Sequence, residues 1–274
     1  MTKNLLPLQI AHLSGPLKTL RSRPRLLVLD FDGTLSPLAA RPDEARLSPV
    51  AGKALRVLRR QAGSTVAVLS GRSVESLGKL LPRDVLFVGN HGLRASVPGL
   101  GRPSAELAPY AAVVRAHLPF LLRLASRVPG ALVEPKGCDV SLHYRLVEPQ
   151  QVGALLASAR RLFRGSGLRG RAGDKVLEFG PPLGQGKASG LRQLARQLAP
   201  GWRSQGACLF VGDDLTDEDA FRAARRMGPR MLAIKVGPGA TAAPWRLAER
   251  GLVDGLLTAL AEHGPSGTPW AERG

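Results

Sequence analysis

The chain has 274 residues, 44% of them hydrophobic, which is enough for one large domain or two smaller ones with cores of their own. Its two cysteines, Cys138 and Cys208, stand far apart and its five histidines are scattered, which argues against a disulfide framework and against a zinc-type site. The net charge of +18 is spread along the chain with only 4% aromatic residues, so it is compatible with a phosphorylated substrate but is weak evidence for any polymer, and nucleic acid is not an expected partner.

Residues 1–24 contain Pro7, Gly15 and Pro16 and no clean apolar stretch, so they read as a short extension and not as a signal peptide. No apolar run approaches the ~20 residues that a membrane span needs. A cytoplasmic monomer that avoids membranes is expected. Leu26-Leu27-Val28-Leu29 is an unbroken apolar run, which predicts a strand buried on both faces of a parallel sheet. Asp30-Phe31-Asp32-Gly33-Thr34-Leu35 follows, with two carboxylates at i and i+2 on one side of the strand end and a glycine for a tight turn. Ser48-Pro49 predicts an N-cap and the first residue of a helix that Gly63 ends. Residues 65–69 form a second buried strand leading into Ser70-Gly71-Arg72. Ser73 caps a helix ending near Pro82, and residues 85–88 are a third strand before Gly89-Asn90-His91-Gly92. This alternation predicts an α/β fold with a doubly wound, Rossmann-like parallel sheet.

The grammar then changes between two loops rich in helix breakers, 96–103 and 180–186. A helix over 105–128, strands over 131–134 and 139–145, a helix over 148–164 and strands over 168–171 and 175–179 give the order αββαββ. An inserted α+β domain is the simplest account. Strand and helix alternation returns with a helix at 188–198, strands at 207–211 and 231–236, and a helix at 252–260. The expected division is an extension at 1–24, a core domain at 25–99 and 181–263, an inserted cap at 100–180 and a tail at 264–274.

Four clusters fall at strand ends or helix starts: Asp30 with Asp32, Ser70-Gly71-Arg72, Lys187, and Asp213, Asp214 and Asp217. Beyond the carboxyl ends of parallel strands is where open α/β sheets bind ligands. Carboxylates converging without His or Cys suit magnesium, a hard cation that prefers oxygen. A serine hydroxyl at a helix start and a lysine suit phosphate. The segment Gly180 to Lys187 is not a nucleotide phosphate loop, because five residues separate its glycines and Ala188 stands where Ser or Thr is needed.

In this order the clusters resemble the four motifs of the haloacid dehalogenase phosphohydrolase superfamily. The resemblance extends to the trehalose-6-phosphate phosphatases through the Gly89–Gly92 motif, Val133-Glu134-Pro135-Lys136, Ser141-Leu142-His143-Tyr144-Arg145, Lys175-Val176-Leu177-Glu178 and the run from Gly212 to Phe221. It covers about residues 25–260, with Gly186-Lys187-Ala188 where that family has Asn-Lys-Gly. The resemblance implies a magnesium-dependent phosphatase with Asp30 as nucleophile and Asp32 as general acid and base. It implies a metal site at Asp30, Asp32 (through its carbonyl), Asp213, Asp214 and Asp217. It implies phosphate held by Asp32, Gly33, Thr34, Ser70, Gly71, Arg72 and Lys187. Sugar would meet Asn90, His91, Glu134, Lys136, Arg145 and Glu178, under a cap that closes over the core. Other capped phosphatases, for sucrose-phosphate or mannosyl-phosphoglycerate, are the alternative. A phosphomutase fits less well and would release no free phosphate. An idle sugar-phosphate sensor or nucleic-acid-binding protein would have lost a motif carboxylate or shown a clustered basic stripe, and the sequence shows neither.

Overall fold

The computed structural model describes residues 13–182 and 186–262. In chain order the elements begin with α1 (Ser14–Thr19), β1 (Arg25–Leu29), α2 (Pro49–Arg60), β2 (Ser64–Leu69), α3 (Val74–Leu80), β3 (Leu86–Gly89) and β4 (Arg94–Ala95). Next come α4 (Ser104–Ala125), β5 (Leu132–Pro135), β6 (Val140–His143), α5 (Pro149–Leu162), β7 (Arg169–Gly173) and β8 (Val176–Gly180). The chain continues through α6 (Lys187–Leu198), β9 (Ala207–Gly212), α7 (Asp217–Met227), β10 (Met231–Val236), β11 (Trp245–Leu247) and α8 (Gly251–Glu262). Two compact units result: residues up to Leu100 join those from Gly186 onward, and the second unit begins at Gly101.

The first unit is a seven-stranded sheet in the order β11-β10-β9-β1-β2-β3-β4. β1 is buried at all five residues and pairs in parallel with β2 on one side and β9 on the other. The chain therefore winds outward from β1 in both directions, and the end of β1 is the point where strand order reverses. Alternate residues of the central strands feed opposite cores, as the period of two requires. Leu27, Leu29, Val66, Val68, Leu209 and Val211 pack with Leu55 and Leu58 of α2 and Leu256 and Leu257 of α8. Leu26, Val28, Leu69 and Phe210 pack with Leu191 and Leu194 of α6 and Phe221 of α7. At one edge the sheet departs from the expected parallel order, because β4 runs antiparallel to β3. The tight turn at 90–92 reverses the chain there and leaves no room for a crossover helix.

Residues 13–24 are more than an extension. Leu13, Leu17 and Leu20 are buried in the same core as α2 and α8. Their spacing i, i+4, i+7 is that of one helix face. Arg25 ties this segment down: its buried guanidinium donates to the Leu20 carbonyl, to Ser64 Oγ and to Gln61. The expected tail from 264 onward lies outside the described residues.

The second unit is a four-stranded antiparallel sheet, β5-β6-β8-β7, with α4 and α5. α4 reads through Pro109 and Pro119 as one helix. Val140, Leu142, Leu177 and Phe179 face a core that includes Leu121, Ala125, Leu155, Ala159 and Phe163 of this unit. The opposite face carries Glu134, Ser141, His143, Glu178 and Arg171, with Leu132 and Val176 at one end. No helix among the described residues is long and apolar enough to cross a membrane.

Candidate active site

The ladder that builds β1 carries its carboxylate into place. The Asp30 N–H donates to the Val211 carbonyl at 2.9 Å, so Asp30 leaves the sheet beside the end of β9. Asp30, Asp213 and Asp217 each offer a carboxylate oxygen, all within 4.8 Å of one another. Lys187, the first residue of α6, is 2% exposed and places Nζ 2.7 Å from Asp30 Oδ1 and 2.7 Å from Asp217 Oδ1. Two buried carboxylates thus hold one ammonium, and the half-buried Asp213 stands beside them.

Their electrostatics follow from that crowding. Burial raises the Asp30 pKa well above the carboxylate range, and Asp217 and Asp213 add to the rise against the pull of Lys187. Burial and the charge of Asp217 push Asp213 up to about 7. Burial would lower the lysine pKa, but Asp217 and Asp30 overcome it and hold Lys187 protonated above its ordinary range. A buried, all-oxygen donor set with an excess of negative charge is what a hard divalent cation fits.

Asp217 is the organiser of the acidic loop. Its Oδ2 accepts the N–H groups of Asp213 at 3.0 Å and Asp214 at 2.9 Å, while Oδ1 takes Lys187. With both oxygens engaged, it orients the loop and its lysine. Asp214 is not drawn into the group: its carboxylate accepts the Leu215 N–H at 2.6 Å and turns toward the start of α7. Lys235, at the end of β10, is a residue that sequence reasoning passed over. It is 6% exposed and donates from Nζ to the main-chain oxygen of Asp213. The visible signal was a lysine inside the apolar run of residues 231–236.

The loop after β1 fits closely against this group. Thr34 is fully buried and donates from Oγ1 to Asp213 Oδ1 at 3.3 Å. Gly33 has φ +72°, and a Cβ there would fall inside the Asp213 carboxylate. Both facts demand glycine. Asp32 points elsewhere: its oxygens accept Nε and Nη2 of Arg72 at 2.8 and 2.7 Å. Arg72 also donates to the Pro42 carbonyl and lies 5.3 Å from the centre of the Phe31 ring. Arg72, expected on phosphate, therefore spends its fork on Asp32.

Ser70 is buried at the end of β2, and its Oγ accepts the Arg72 N–H at 3.2 Å. The neighbouring turn is sewn to it. Asn90 N–H donates to the Arg72 carbonyl at 2.8 Å and His91 N–H to the Ser70 carbonyl at 3.0 Å. Asn90 and His91 both sit at φ 52°, a conformation uncommon outside glycine. The strain places the His91 ring over Gly71, where an added Cβ would lie 2.5 Å from the ring.

In the second unit, register alone assembles a polar row. Glu134 is paired with Ser141, Ser141 with Glu178, and Glu178 with Arg171, across four strands on one face. Lys136 and His143 lie two residues along on the same face. Lys136 Nζ is 3.2 Å from Glu178 and 3.7 Å from Glu134. Ser141 Oγ donates to Glu178 at 3.1 Å, and His143 Nε2 is 2.9 Å from Glu134. Burial works against the Lys136 charge, and Glu178, Glu134 and Asp139 together raise its pKa above the usual range. Arg145 does not join the row through any hydrogen bond among the described residues. It pairs with Asp174 in the turn between β7 and β8. His143, Ser141 and Arg171 were missed as members, although alternation along 141–143 places the first two on one face.

The profile of the family described as trehalose-phosphatase matches residues 28–250. An uncharacterized glycosyl hydrolase of Mycobacterium tuberculosis is 37% identical over 219 residues, which are 77% of this chain and 16% of that protein. The trehalose-phosphate phosphatase of Mycobacterium avium is 34% identical over 222 residues, 78% of this chain and 54% of that protein. The chain thus spans about half the length of the latter relative and a far smaller part of the former. The C-terminal domain of Candida albicans trehalose-6-phosphate phosphatase has the same fold, with a TM-score of 0.77 at 22% identity over 94% of this chain and 97% of that one.

Proposed function

The chain belongs to the trehalose-phosphatase family, and from that premise we propose that it hydrolyses trehalose 6-phosphate to trehalose and inorganic phosphate, with Asp30 as nucleophile and magnesium as cofactor. The observation that carries the reading is the buried Asp30 carboxylate, 2.7 Å from Lys187 and grouped with Asp213 and Asp217 where the strand order reverses.

A carboxylate approaching a phosphate dianion meets repulsion of about 4 kcal/mol per charge pair at 4 Å and an effective dielectric near 20. Lys187 offsets part of it from within the site. Magnesium, when held by Asp30, the Asp32 carbonyl and Asp213, would supply the remaining counter-charge. Asp30 attacks phosphorus, and the bond from phosphorus to the sugar oxygen breaks. Asp32, released from Arg72 and protonated, gives that oxygen its proton. Water then attacks the aspartyl-phosphate and leaves its proton on Asp32, which frees phosphate and restores Asp30. Thr34, Ser70 and the N–H groups of Gly33 and Gly71 hold the phosphoryl oxygens. Arg72, paired with Asp32, sets where that carboxylate rests. The Glu134, Lys136 and Glu178 row, with His143, would bind sugar hydroxyls, which offer many donors and acceptors.

Phosphate release across a panel of sugar phosphates, with and without magnesium, tests the reading. A strong preference for trehalose 6-phosphate supports it, and turnover of sucrose-phosphate in its place would move the chain to the alternative substrate. Glu178→Gln is expected to raise KM about tenfold or more, because Lys136 loses a charged partner in the row; an unchanged KM contradicts the sugar assignment. Gly71→Ala must displace the His91 ring or the loop. The expected loss in kcat/KM is about 10²-fold, the scale of an ångström of misplacement.

Stability should carry the signature of Asp213. Its pKa is about 7 in the folded protein against 3.8 in the unfolded chain. The native state thus holds this proton more tightly, so its contribution is present at low pH and is lost as pH rises through 7. The Tm of chelated protein should therefore lose an increment between pH 5 and pH 8 that Asp213→Asn diminishes, the remainder coming from Asp30, whose pKa is raised in the same direction. Magnesium should raise Tm more at pH 8 than at pH 5, because it competes with protons. An equal or smaller shift at pH 8 contradicts a metal site at these carboxylates.

A further inference from the structure

Arg250 immediately precedes α8, yet its guanidinium reaches the loop that follows β1. Nε donates to the Thr34 carbonyl at 3.1 Å and Nη2 to the Leu35 carbonyl at 2.8 Å. The same fork is held by Asp254, at 2.8 Å from Nη1 and 3.0 Å from Nη2. Asp254 in turn accepts the hydroxyl of Ser48, the N-cap of α2, at 2.9 Å. A planar guanidinium fixed by a bidentate carboxylate has little freedom left, so it sets the position of whatever else it touches.

What it touches is the outer side of the catalytic loop. On the inner side, the N–H groups of Leu35 and Ser36 both donate to the Phe31 carbonyl, at 2.9 and 2.8 Å. The Leu35 carbonyl also accepts the Ser48 N–H at 3.0 Å, so its two lone pairs face Ser48 and Arg250. The loop is thereby closed from both sides. Between the closures stand Gly33, with no room for a Cβ beside Asp213, and Thr34, bonded to the same carboxylate. A small rotation of the Thr34 peptide would move both against Asp213.

We propose that Arg250 is a positioning residue for the reaction: it clamps the Thr34 and Leu35 carbonyls and so fixes the phosphate-binding face of the loop against Asp213. The kinetic part of this inference rests on the phosphatase reading above. Arg250 touches no reacting atom in this role. It acts through the loop, and Asp254 and Ser48 act through Arg250.

The test compares Arg250→Met, Arg250→Lys and Arg250→Ala in the full chain. Arg250→Met should lower kcat about 10²-fold with KM shifted much less, since binding groups remain and geometry is lost. Arg250→Lys should recover only part, because a single ammonium cannot span two carbonyls and Asp254. Guanidinium ion at low millimolar concentration should restore turnover to Arg250→Ala, a rescue that a role in overall stability would not give. Hydrogen exchange in the peptide covering residues 31–36 should accelerate in Arg250→Met while that of β1 and β9 stays unchanged. Wild-type kcat with unchanged exchange at 31–36 would overturn the clamp, as would a kcat that falls only with the folded fraction. Should the wild-type chain release no phosphate from any sugar phosphate, the phosphatase reading falls, and the exchange measurement alone decides the clamp.

Discussion

Asp30→Asn is expected to reduce phosphate release from trehalose 6-phosphate by at least about 10⁴-fold, the scale seen when a nucleophile is removed. The amide has the shape of the carboxylate but cannot form the acyl-phosphate. The fold should survive. Lys187 keeps Asp217 at 2.7 Å, and a carboxylate whose pKa was raised by burial and by its acidic neighbours is replaced by a neutral group. Thermal unfolding should therefore shift little, or upward. Substantial turnover in this variant would refute Asp30 as the nucleophile. A collapse in Tm would mean that the residue's role is structural.

Lys187→Met should damage the protein in both respects. The lysine is the ammonium between Asp30 and Asp217, and it is 2% exposed. Removing one partner of a buried ion pair leaves an uncompensated charge, a loss of about 3–5 kcal/mol. For a chain of this size that corresponds to a Tm lowered by roughly 6–20 °C. The sign with pH is fixed by the acids left behind. Lys187 pulls the raised pKa of Asp30 down, so without it the Asp30 proton is held more tightly still, and the deficit against wild type should grow from pH 5 to pH 8 as that proton is forced off. Activity should be lost even where the variant is folded, because the same ammonium faces the incoming phosphate. Calorimetry at the two pH values checks the first part, and phosphate release at 20 °C below the variant's Tm checks the second. A variant as stable as wild type at pH 8 would contradict the charge arrangement described here.

The parts of this molecule that were legible in the sequence are those where local pattern and chemistry coincide. The run Leu26–Leu29 is apolar at each position because β1 is covered on both faces, and two carboxylates stand at its end because the sheet opens there. The acidic loop after β9 and the lysine that opens α6 were readable for the same reason. Features made by distant segments were not readable. The Arg72 to Asp32 pair joins residues 40 positions apart, and no local pattern announces it. The Arg250 clamp spans 216 positions. Pro16 and Gly15 hid the leucine face of α1, whose burial depends on α2 and α8. β4 and β11 are too short to show a period, since they are defined by the strands they pair with. Asp214 shares its neighbour's chemistry in sequence, yet its side chain serves the helix start.

The most direct measurement is to identify which residue carries phosphate during turnover. Rapid acid quench of the enzyme with trehalose 6-phosphate and magnesium, followed by borohydride reduction, converts an aspartyl-phosphate to homoserine, which peptide mass spectrometry can place. Homoserine at position 30 and at no other aspartate, absent when substrate is omitted, is the predicted result. Turnover with no modification at position 30, or with modification at a different aspartate, would contradict the account.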